Sequence, residues 1–265
     1  MLRSVNLILP NAGLECAIGF PPRDDAGRPN TDRLLFAVPW HGLTMVGTWY
    51  FPSAEDQDRL TVSREELSSM LCELNSGFEN WNFRGSDVLM LHIGQQPLHP
   101  SSRSGPQPID APLIAESDSF GGPRRAWIVQ GEKWTTARAT AQKAVEIIAR
   151  HSGFELARSV SSRKPLYSAP QELAGFTASA GASASSDDDE NLRYSLRHEM
   201  VRTLPDLLLR RTNIGAAGSP PPEVTKRISK LAASELGWNE SERLRNVDAV
   251  HTHSMYPHAS ITDQI

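Results

Sequence analysis

The chain has 265 residues, of which 39% are apolar, so it can build the packed core of one large domain or of two modest ones. Its formal net charge of −4 gives no positive field for nucleic acid, and we predict no nucleic-acid partner. The two cysteines, Cys16 and Cys72, form no C-x-x-C pair, which indicates no disulfide framework or zinc site and fits a reducing cytoplasm. No apolar run reaches the roughly 20 residues that cross a bilayer, so we expect any membrane contact to be peripheral.

The first 75 residues predict strands and then a helix. Val5, Leu7 and Leu9 recur at every second position, which predicts a strand. Residues 33–38 and 43–50 flank a short turn at 39–42, which predicts a hairpin. Ser63 and Glu66 then form an S-x-x-E capping box. The apolar positions of the helix behind it are Leu67, Met70, Leu71 and Leu74, and residues 75–77 end it.

Two further strand candidates each lead to a glycine. Residues 87–93 reach Gly94, and residues 126–130 reach Gly131. After Gly131 the apolar period becomes helical, and Gly153 lies where a C-terminal cap belongs. The apolar stripe of this helix is Ala137, Ala141, Ala144, Val145 and Ile148. Residues 126–153 therefore predict a buried strand, a tight turn and a helix.

The remainder of the chain changes in composition. A composition shift begins near Ser159, and residues 168–190 are rich in Ser, Ala, Gly and acids, which predicts a flexible linker over 159–190. Residues 192–211 then predict a helix with a break at Pro205, and residues 223–236 predict a second helix that stops at Gly237. We predict a sheet-rich domain at 1–158, the linker at 159–190, a small helical domain at 191–250 and a loose tail at 251–265. His251 and His253 in this last part have no third ligand in view, so we predict no metal site.

The segment at residues 131–138 points most directly to chemistry. A junction at which a strand is followed directly by a helix presents the free backbone N–H groups and the positive dipole end of that helix. Together these groups favour the binding of an anion. Lys133 would add a positive charge, and Thr135 and Thr136 would supply capping hydroxyls. The alternative is a solvated lysine in a surface turn with an ordinary threonine cap, and spacing alone does not decide between the two.

This segment resembles the G-G-K-x-T-T-Y-R motif of the aerobic glycerol-3-phosphate dehydrogenases, and other blocks resemble the same family in the same order. Residues 33–40 and 45–48 are similar to its R-x-x-F-x-x-P-W and I-G-T-T-D hairpin, and residues 94–98 to its G-x-R-P-L. Glu199, Asp206, Arg210, Arg211 and Thr212 are similar to its C-terminal helix, and Leu-Gly-Trp follows at 236–238.

The resemblance implies a mixed α+β or α/β fold, with an antiparallel substrate-side sheet, the closing strand and helix of a flavin-binding domain, and a C-terminal helical domain. It implies FAD as cofactor, hydride transfer to FAD from a secondary alcohol of a polyol or polyol phosphate, and a membrane quinone as acceptor. The implied cofactor-binding residues are Gly94, Gly131, Lys133, Trp134, Thr135 and Thr136. Gln96, Lys133 and Thr48 would face the substrate, and Lys133 and His92 are the candidate catalytic residues.

Some assignments have a structural alternative. His92, and with less support His41, could act as a base, but a histidine in a strand or turn can also be simply hydrogen-bonded. Trp40 could shape the pocket or anchor the hairpin.

The sequence also departs from the family pattern. Gln96 replaces an arginine, and a neutral amide brings no charge to a phosphate. Glu132 replaces a glycine, Trp49 and Tyr50 replace Thr-Asp, and Ala137 replaces a tyrosine. Arg103 could substitute for the lost cation, although nothing in the sequence places it in the pocket. Three hypotheses stay open: a polyol-phosphate dehydrogenase, an active relative with a neutral substrate, and an inactive remnant that serves as an interaction module.

The sequence shows no strand that leads into G-x-G-x-x-G with an acidic residue about 20 positions later, the unit that holds the pyrophosphate and ribose of a dinucleotide. We therefore expect a C-terminal portion of such an enzyme, as a fragment, a truncated gene product or half of a split enzyme with a separately encoded FAD-binding half. On that expectation the isolated chain is inactive and colourless.

Overall fold

The computed structural model describes residues 1–23, 27–30, 33–53, 60–78, 80–97, 108–131, 133–164, 189–253 and 261–262. The chain divides into two compact units. The large unit comprises Arg3–Tyr50, Asp56–Gly94 and Gln171–Ile265, and the small unit comprises Met1–Leu2, Phe51–Glu55 and Gln95–Pro170. This division groups the C-terminal helices with most of the sheet, and the domain boundaries proposed from the sequence stay predictions.

The regular elements mix strands and helices, as the sequence predicts. The strands are β1 Leu2–Leu9, β2 Ile18–Phe20, β3 Leu35–Trp40, β4 Leu43–Pro52, β5 Val62–Ser63, β6 Met90–Gln96, β7 Leu113–Glu116, β8 Trp127–Gln130 and β9 Ile261–Thr262. The helices are α1 Arg64–Ser76, α2 Ala137–Ser152, α3 Asp189–His198, α4 Pro222–Leu236 and α5 Glu240–His251. No helix among the described residues is long and apolar enough to cross a membrane.

A five-stranded sheet runs in the order β2-β3-β4-β1-β6. The β2–β3 and β3–β4 pairs are antiparallel, which confirms the predicted hairpin and the antiparallel sheet. Strand β3 continues to Trp40, which pairs with Leu43, so the turn is shorter than predicted. The connection is His41-Gly42, with φ of 48° and 79°, and positive φ at both positions matches the twist of a two-residue hairpin.

Helix α1 confirms its sequence signals. The Ser63 hydroxyl accepts a hydrogen bond from the Glu66 N–H, and the Glu66 carboxylate accepts one from the Ser63 N–H. All four predicted apolar positions are buried: Leu67, Met70, Leu71 and Leu74.

Strand β6 begins later and ends later than the 87–93 prediction. Gly85–Asp87 forms a 3₁₀ turn, in which the Asp87 carboxylate accepts a hydrogen bond from the Arg84 N–H at 2.7 Å. Asp87 is held in that turn and cannot start the strand. The strand then passes through Gly94 to Gln96, so Gly94 lies inside it and the expected turn at Gly94 is wrong.

The C-terminal helices pack around one apolar core that also includes Ile8 and Met90 from the sheet. The helix break that the sequence predicts at Pro205 lies before that residue, between His198 and the next helical segment. Helix α3 ends at His198, Met200 has φ of 57°, and Pro205 stands at the start of the π-helical segment Asp206–Arg211. Proline is tolerated there because the first residues of a helix have no intrahelical partner for an N–H.

Helix α5 has no counterpart among the predicted elements. Asn239 and Glu242 form a reciprocal capping box at its start, a signal that the sequence contained. Within the predicted tail, Ile261 pairs in parallel with Val62 of β5. Most of the predicted linker and of the tail lies outside the described residues.

The small unit contains the β7–β8 antiparallel pair and α2. Gly153 caps α2 at φ of 75°, as predicted. The predicted apolar stripe is only partly right, because Ala144 is buried whereas Ala141 and Val145 are exposed. The other residues that α2 buries are Thr140 and Ala149.

Candidate functional site

The residues that the sequence predicts for the site are divided between the small and the large unit. The small unit contains Gln96, Gly131, Lys133, Trp134, Thr135 and Thr136, and the large unit contains Thr48, His92 and Gly94. Glu132 and Arg103 lie outside the described residues.

In the small unit, the predicted order of strand, turn and helix is confirmed. Strand β8 ends at Gln130, the backbone of Lys133 is extended at φ of −144° and ψ of 146°, and a 3₁₀ turn at Trp134–Thr136 leads into α2. The strand is not buried as predicted, since Val129 is 45% exposed. Strand β8 belongs to a sheet of only two strands, β7 and β8, which leaves part of it exposed. The sequence of β8 alone does not reveal how many strands the sheet has.

Neither Thr135 nor Thr136, nor any other described side chain, caps the N-terminus of α2, so the predicted threonine capping is wrong. Thr136 occupies the cap position with φ of −99° and ψ of −3°, whereas capping side chains require an extended backbone. Its hydroxyl instead donates to the Lys133 carbonyl at 2.9 Å. Among the described residues, none places a carboxylate or hydroxyl as a cap at the positive end of α2.

The turn before α2 is open to solvent. Lys133, Trp134 and Thr135 are exposed, and Trp134 reaches 93%. A methyl group on Gly131 would meet no atom within 4 Å, so nothing in the described chain requires glycine there. Among the described residues Lys133 has no ion-pair partner, and its ammonium group is available to an external anion.

Gln96 is the last residue of β6 and is half-buried. Its neighbour Gln95 is exposed and points to the opposite side of the strand, where its amide donates to the Ser53 hydroxyl at 3.0 Å. The two glutamines are therefore unlike in environment, although they are adjacent in sequence.

In the large unit, Thr48 and Gly94 both contact β1. The Thr48 hydroxyl donates to the Asn6 Oδ1 atom at 2.8 Å, and the Ser4 hydroxyl donates to the Gly94 carbonyl at 3.2 Å. Ser4 and Asn6 are two residues apart and share one face of β1, which lies between β4 and β6. These four residues form a polar strip across three strands.

Sequence reasoning missed Ser4 and Asn6. The signal was present, because both alternate with the apolar residues that predicted β1, but only the apolar half of the pattern was used. Gly47 explains why Asn6 can lie so close to β4. A methyl group on Gly47 would stand 2.0 Å from the Asn6 Oδ1 atom and 3.1 Å from its Cα atom.

His92 is half-buried against Trp40, with ring centroids 5.9 Å apart at an interplanar angle of 86°. Burial lowers the pKa of His92, so its imidazole is neutral near pH 7, the state that a general base needs. Trp40 donates its indole N–H to the Ala216 carbonyl at 3.1 Å and packs against the helical core. Trp40 therefore anchors the hairpin.

Comparison with known proteins agrees with the resemblance carried by the motifs. Residues 177–243 match the C-terminal domain of alpha-glycerophosphate oxidase. The mitochondrial glycerol-3-phosphate dehydrogenase of Schizosaccharomyces pombe is 22% identical, over 89% of this chain and 48% of that protein. The Saccharomyces cerevisiae enzyme of the same name is 24% identical, over 64% of this chain and 26% of that protein. The chain spans about half or less of the length of these curated relatives.

The fold has a solved counterpart. The crystal structure of the glycerol-3-phosphate dehydrogenase from Bacillus halodurans complexed with FAD aligns with a TM-score of 0.69 at 20% identity, over 99% of this chain and 58% of that one. The agreement in fold extends over both units. A C-terminal stretch of this chain therefore matches the C-terminal domain of alpha-glycerophosphate oxidase, and the chain is similar in sequence to two mitochondrial glycerol-3-phosphate dehydrogenases.

Proposed function

We propose that this chain supplies the substrate-side sheet, the closing strand and helix of the flavin-binding domain, and the C-terminal helices of an FAD-dependent oxidoreductase. The reaction is oxidation of a secondary alcohol of a polyol or polyol phosphate. The observation that carries the proposal is the turn before α2, where an exposed Lys133 precedes a helix that no described side chain caps. That arrangement suits an anionic partner.

The residues of this turn fit the isoalloxazine end of FAD. When bound, FAD supplies a hydride acceptor, and the protein supplies orientation and charge. Lys133 and the N-terminus of α2 would balance negative charge at the ring, and the Thr135 hydroxyl would donate a hydrogen bond to it. The open space around Gly131 leaves room for a planar ring to approach the backbone.

On the substrate side, the chemistry needs a group that takes the hydroxyl proton. His92 is neutral near pH 7 because burial lowers its pKa, and it can accept a proton in that state. Thr48 and Gly94 belong to the polar strip, which offers hydroxyl and amide groups to a polyol. In the small unit, Gln96 would offer a neutral amide to a substrate.

The proposed activity also requires a dinucleotide-binding unit, in the same polypeptide or in a separately encoded half, and an electron acceptor. A membrane quinone, reached by peripheral contact from the cytoplasmic side, is our proposal for the acceptor. The chain covers 48% of the Schizosaccharomyces pombe protein and 58% of the FAD-complexed Bacillus halodurans chain, which supports the requirement for a further unit. The quinone rests on the family resemblance of the sequence motifs alone.

Flavin titration of the chain tests the role of the turn. We would mix the chain, with and without the dinucleotide-binding unit of the Bacillus halodurans relative, with FAD and follow flavin fluorescence. Lys133→Gln should weaken binding by about tenfold, since a charged hydrogen bond contributes roughly 1.5 to 3 kcal/mol. The matched control is Lys143→Gln, which removes an exposed lysine of α2 beyond the turn and should bind as the parent does. Equal affinity of parent and Lys133→Gln would refute the assignment.

A neutral polyol is the second candidate substrate, and Gln96 is the observation that favours it. We would compare kcat/KM for glycerol 3-phosphate and glycerol in the reconstituted enzyme and in Gln96→Arg. The variant should gain about tenfold for the phosphorylated substrate alone, because a guanidinium forms charged pairs with phosphate. Gln95→Arg, on the other side of the strand, is the control. Equal changes for both substrates would contradict a role for Gln96.

The third hypothesis, an inactive module, has its own outcome. A chain that folds, joins the dinucleotide-binding unit and binds FAD, yet oxidises neither substrate, would support it. Activity with either polyol would exclude it.

A further inference from the structure

The small unit has an open cleft between α2 and residues 156–163, which follow α2 without regular secondary structure. The cleft encloses about 730 Å³. Its polar lining includes Arg138, Gln142, Glu146, Arg158, Ser159 and Arg163. We call it the α2 cleft. None of these residues belongs to the turn at 131–136.

The charges in the α2 cleft do not cancel. Among its described lining residues, three arginines, Arg138, Arg158 and Arg163, accompany one carboxylate, that of Glu146, which leaves a charge of +2. Glu146 accepts a hydrogen bond from the Gln142 amide at 2.8 Å, so its closest polar contact is neutral. Within the part of the chain that the structure describes, Arg158 and Arg163 form no ion pair. A concave surface with this balance attracts anions.

The loop side of the α2 cleft is ordered by its own hydrogen bonds. Arg138 donates to the Ser161 hydroxyl and to the side-chain Oε1 atom of Gln142, at 2.9 Å each, and the first of these bonds ties the loop to the helix. The hydroxyls of Ser159 and Ser161 lie 3.0 Å apart. The Arg163 N–H donates to the Val160 carbonyl at 2.9 Å, which closes a turn beneath Arg163. The guanidinium groups therefore project from a backbone that is already folded, which limits the entropy lost on binding.

We propose that the α2 cleft binds a small phosphorylated molecule through its phosphate group. Guanidinium groups match the planar, bidentate geometry of phosphate oxygens better than ammonium groups do. The serine hydroxyls add neutral donors beside them. The site is built from residues other than those of the proposed flavin site, so it does not depend on the proposed function.

The experiment is isothermal titration of the full chain with pyrophosphate and with inorganic phosphate at low salt, where screening is weak. The double variant Arg158→Gln/Arg163→Gln should bind pyrophosphate at least about tenfold more weakly than the parent chain. The matched control is Lys143→Gln, an exposed α2 lysine that does not line the cleft, and it should bind as the parent does. The double variant and the control each replace exposed cationic side chains with glutamine, so both proteins should fold.

Three outcomes would overturn the proposal. The first is a double variant that binds as the parent does. The second is equal weakening in Lys143→Gln, which would show attraction by overall charge only. The third comes from vesicles of phosphatidylglycerol: binding to them without binding of pyrophosphate would assign the cleft to a lipid surface. Binding of pyrophosphate that is lost only in the double variant would support a site for a soluble phosphate compound.

Discussion

The large and small units differ in how they use their apolar side chains. The large unit buries long aliphatic residues from both sheet and helices, among them Leu7, Leu91 and Leu204, all at 0% exposure. In the small unit the buried apolar residues among those described are Leu2, Ala144 and Ala149. Large exposed apolar residues are correspondingly frequent there: Leu113, Phe120, Val129, Trp134, Val145, Phe154, Leu156 and Val160.

This difference indicates that the large unit provides most of the folding stability and that the small unit provides the exposed surfaces for binding. Burial of a leucine contributes roughly 1.5 to 3 kcal/mol, so the large unit has an internal source of stability. The small unit has far less, and it presents both the turn before α2 and the α2 cleft on its surface. Exposed apolar patches in such a position are typical of surfaces that bind something. The predictions below test this contrast, from the largest expected effect to the smallest.

Leu204→Ala should have the largest effect on folding. Leu204 lies in the core that joins the helices to the sheet, and truncation of a buried leucine costs about 2 to 5 kcal/mol. Urea denaturation would measure the loss in free energy of unfolding. Val145→Ala, at an exposed position of α2, should change it by less than about 0.5 kcal/mol. Equal losses would remove the contrast between the units.

Gly47→Ala should cost about 1 to 3 kcal/mol, because the added methyl group would overlap the Asn6 side chain and press on its backbone. Gly131→Ala in the small unit is the matched control, since a methyl group there meets nothing within 4 Å. The same denaturation experiment compares them. If both substitutions were neutral, the close approach of β1 and β4 would be wrong.

Acid should weaken the large unit through His92. Burial lowers its pKa in the folded state below the ordinary value of 6.5, so the unfolded chain binds more protons as the pH falls below 6.5. Stability is fully present above about pH 6.5 and falls below it, by at most about 1.4 kcal/mol per pH unit for one histidine. His92→Gln should flatten this profile between pH 7.5 and 5.5. Some dependence of the free energy of unfolding on pH should remain in this variant, because burial also lowers the pKa of His253.

Trp134→Ser should have the smallest effect on folding, below about 0.5 kcal/mol, because the indole is 93% exposed and gives up little burial. It should instead weaken FAD binding in the titration described above, if the ring lies against the bound flavin. A large loss of folding stability would show that Trp134 packs within the chain.

The sequence anticipated those elements whose signals are local. The capping box of α1 needs only residues 63 and 66, and the C-cap of α2 needs only Gly153. It failed where a hydrogen bond between nearby residues competed with the predicted element. Asp87 turns back on Arg84 and delays β6, and the Thr136 hydroxyl bonds the Lys133 carbonyl where a cap was expected.

By itself, the sequence determined the strands and helices with strong periodicity, the turn before α2 and the similarity to the glycerol-3-phosphate dehydrogenases. Short-range hydrogen bonds and side-chain period depend on neighbours within a few residues, so a linear pattern records them. Only the tertiary structure decided which face of α2 is buried, that Ser4 and Asn6 join Thr48 and Gly94, and that Arg158 and Arg163 lie with Arg138 in one cleft. Those relations depend on which strands and loops become neighbours, and no local period specifies that.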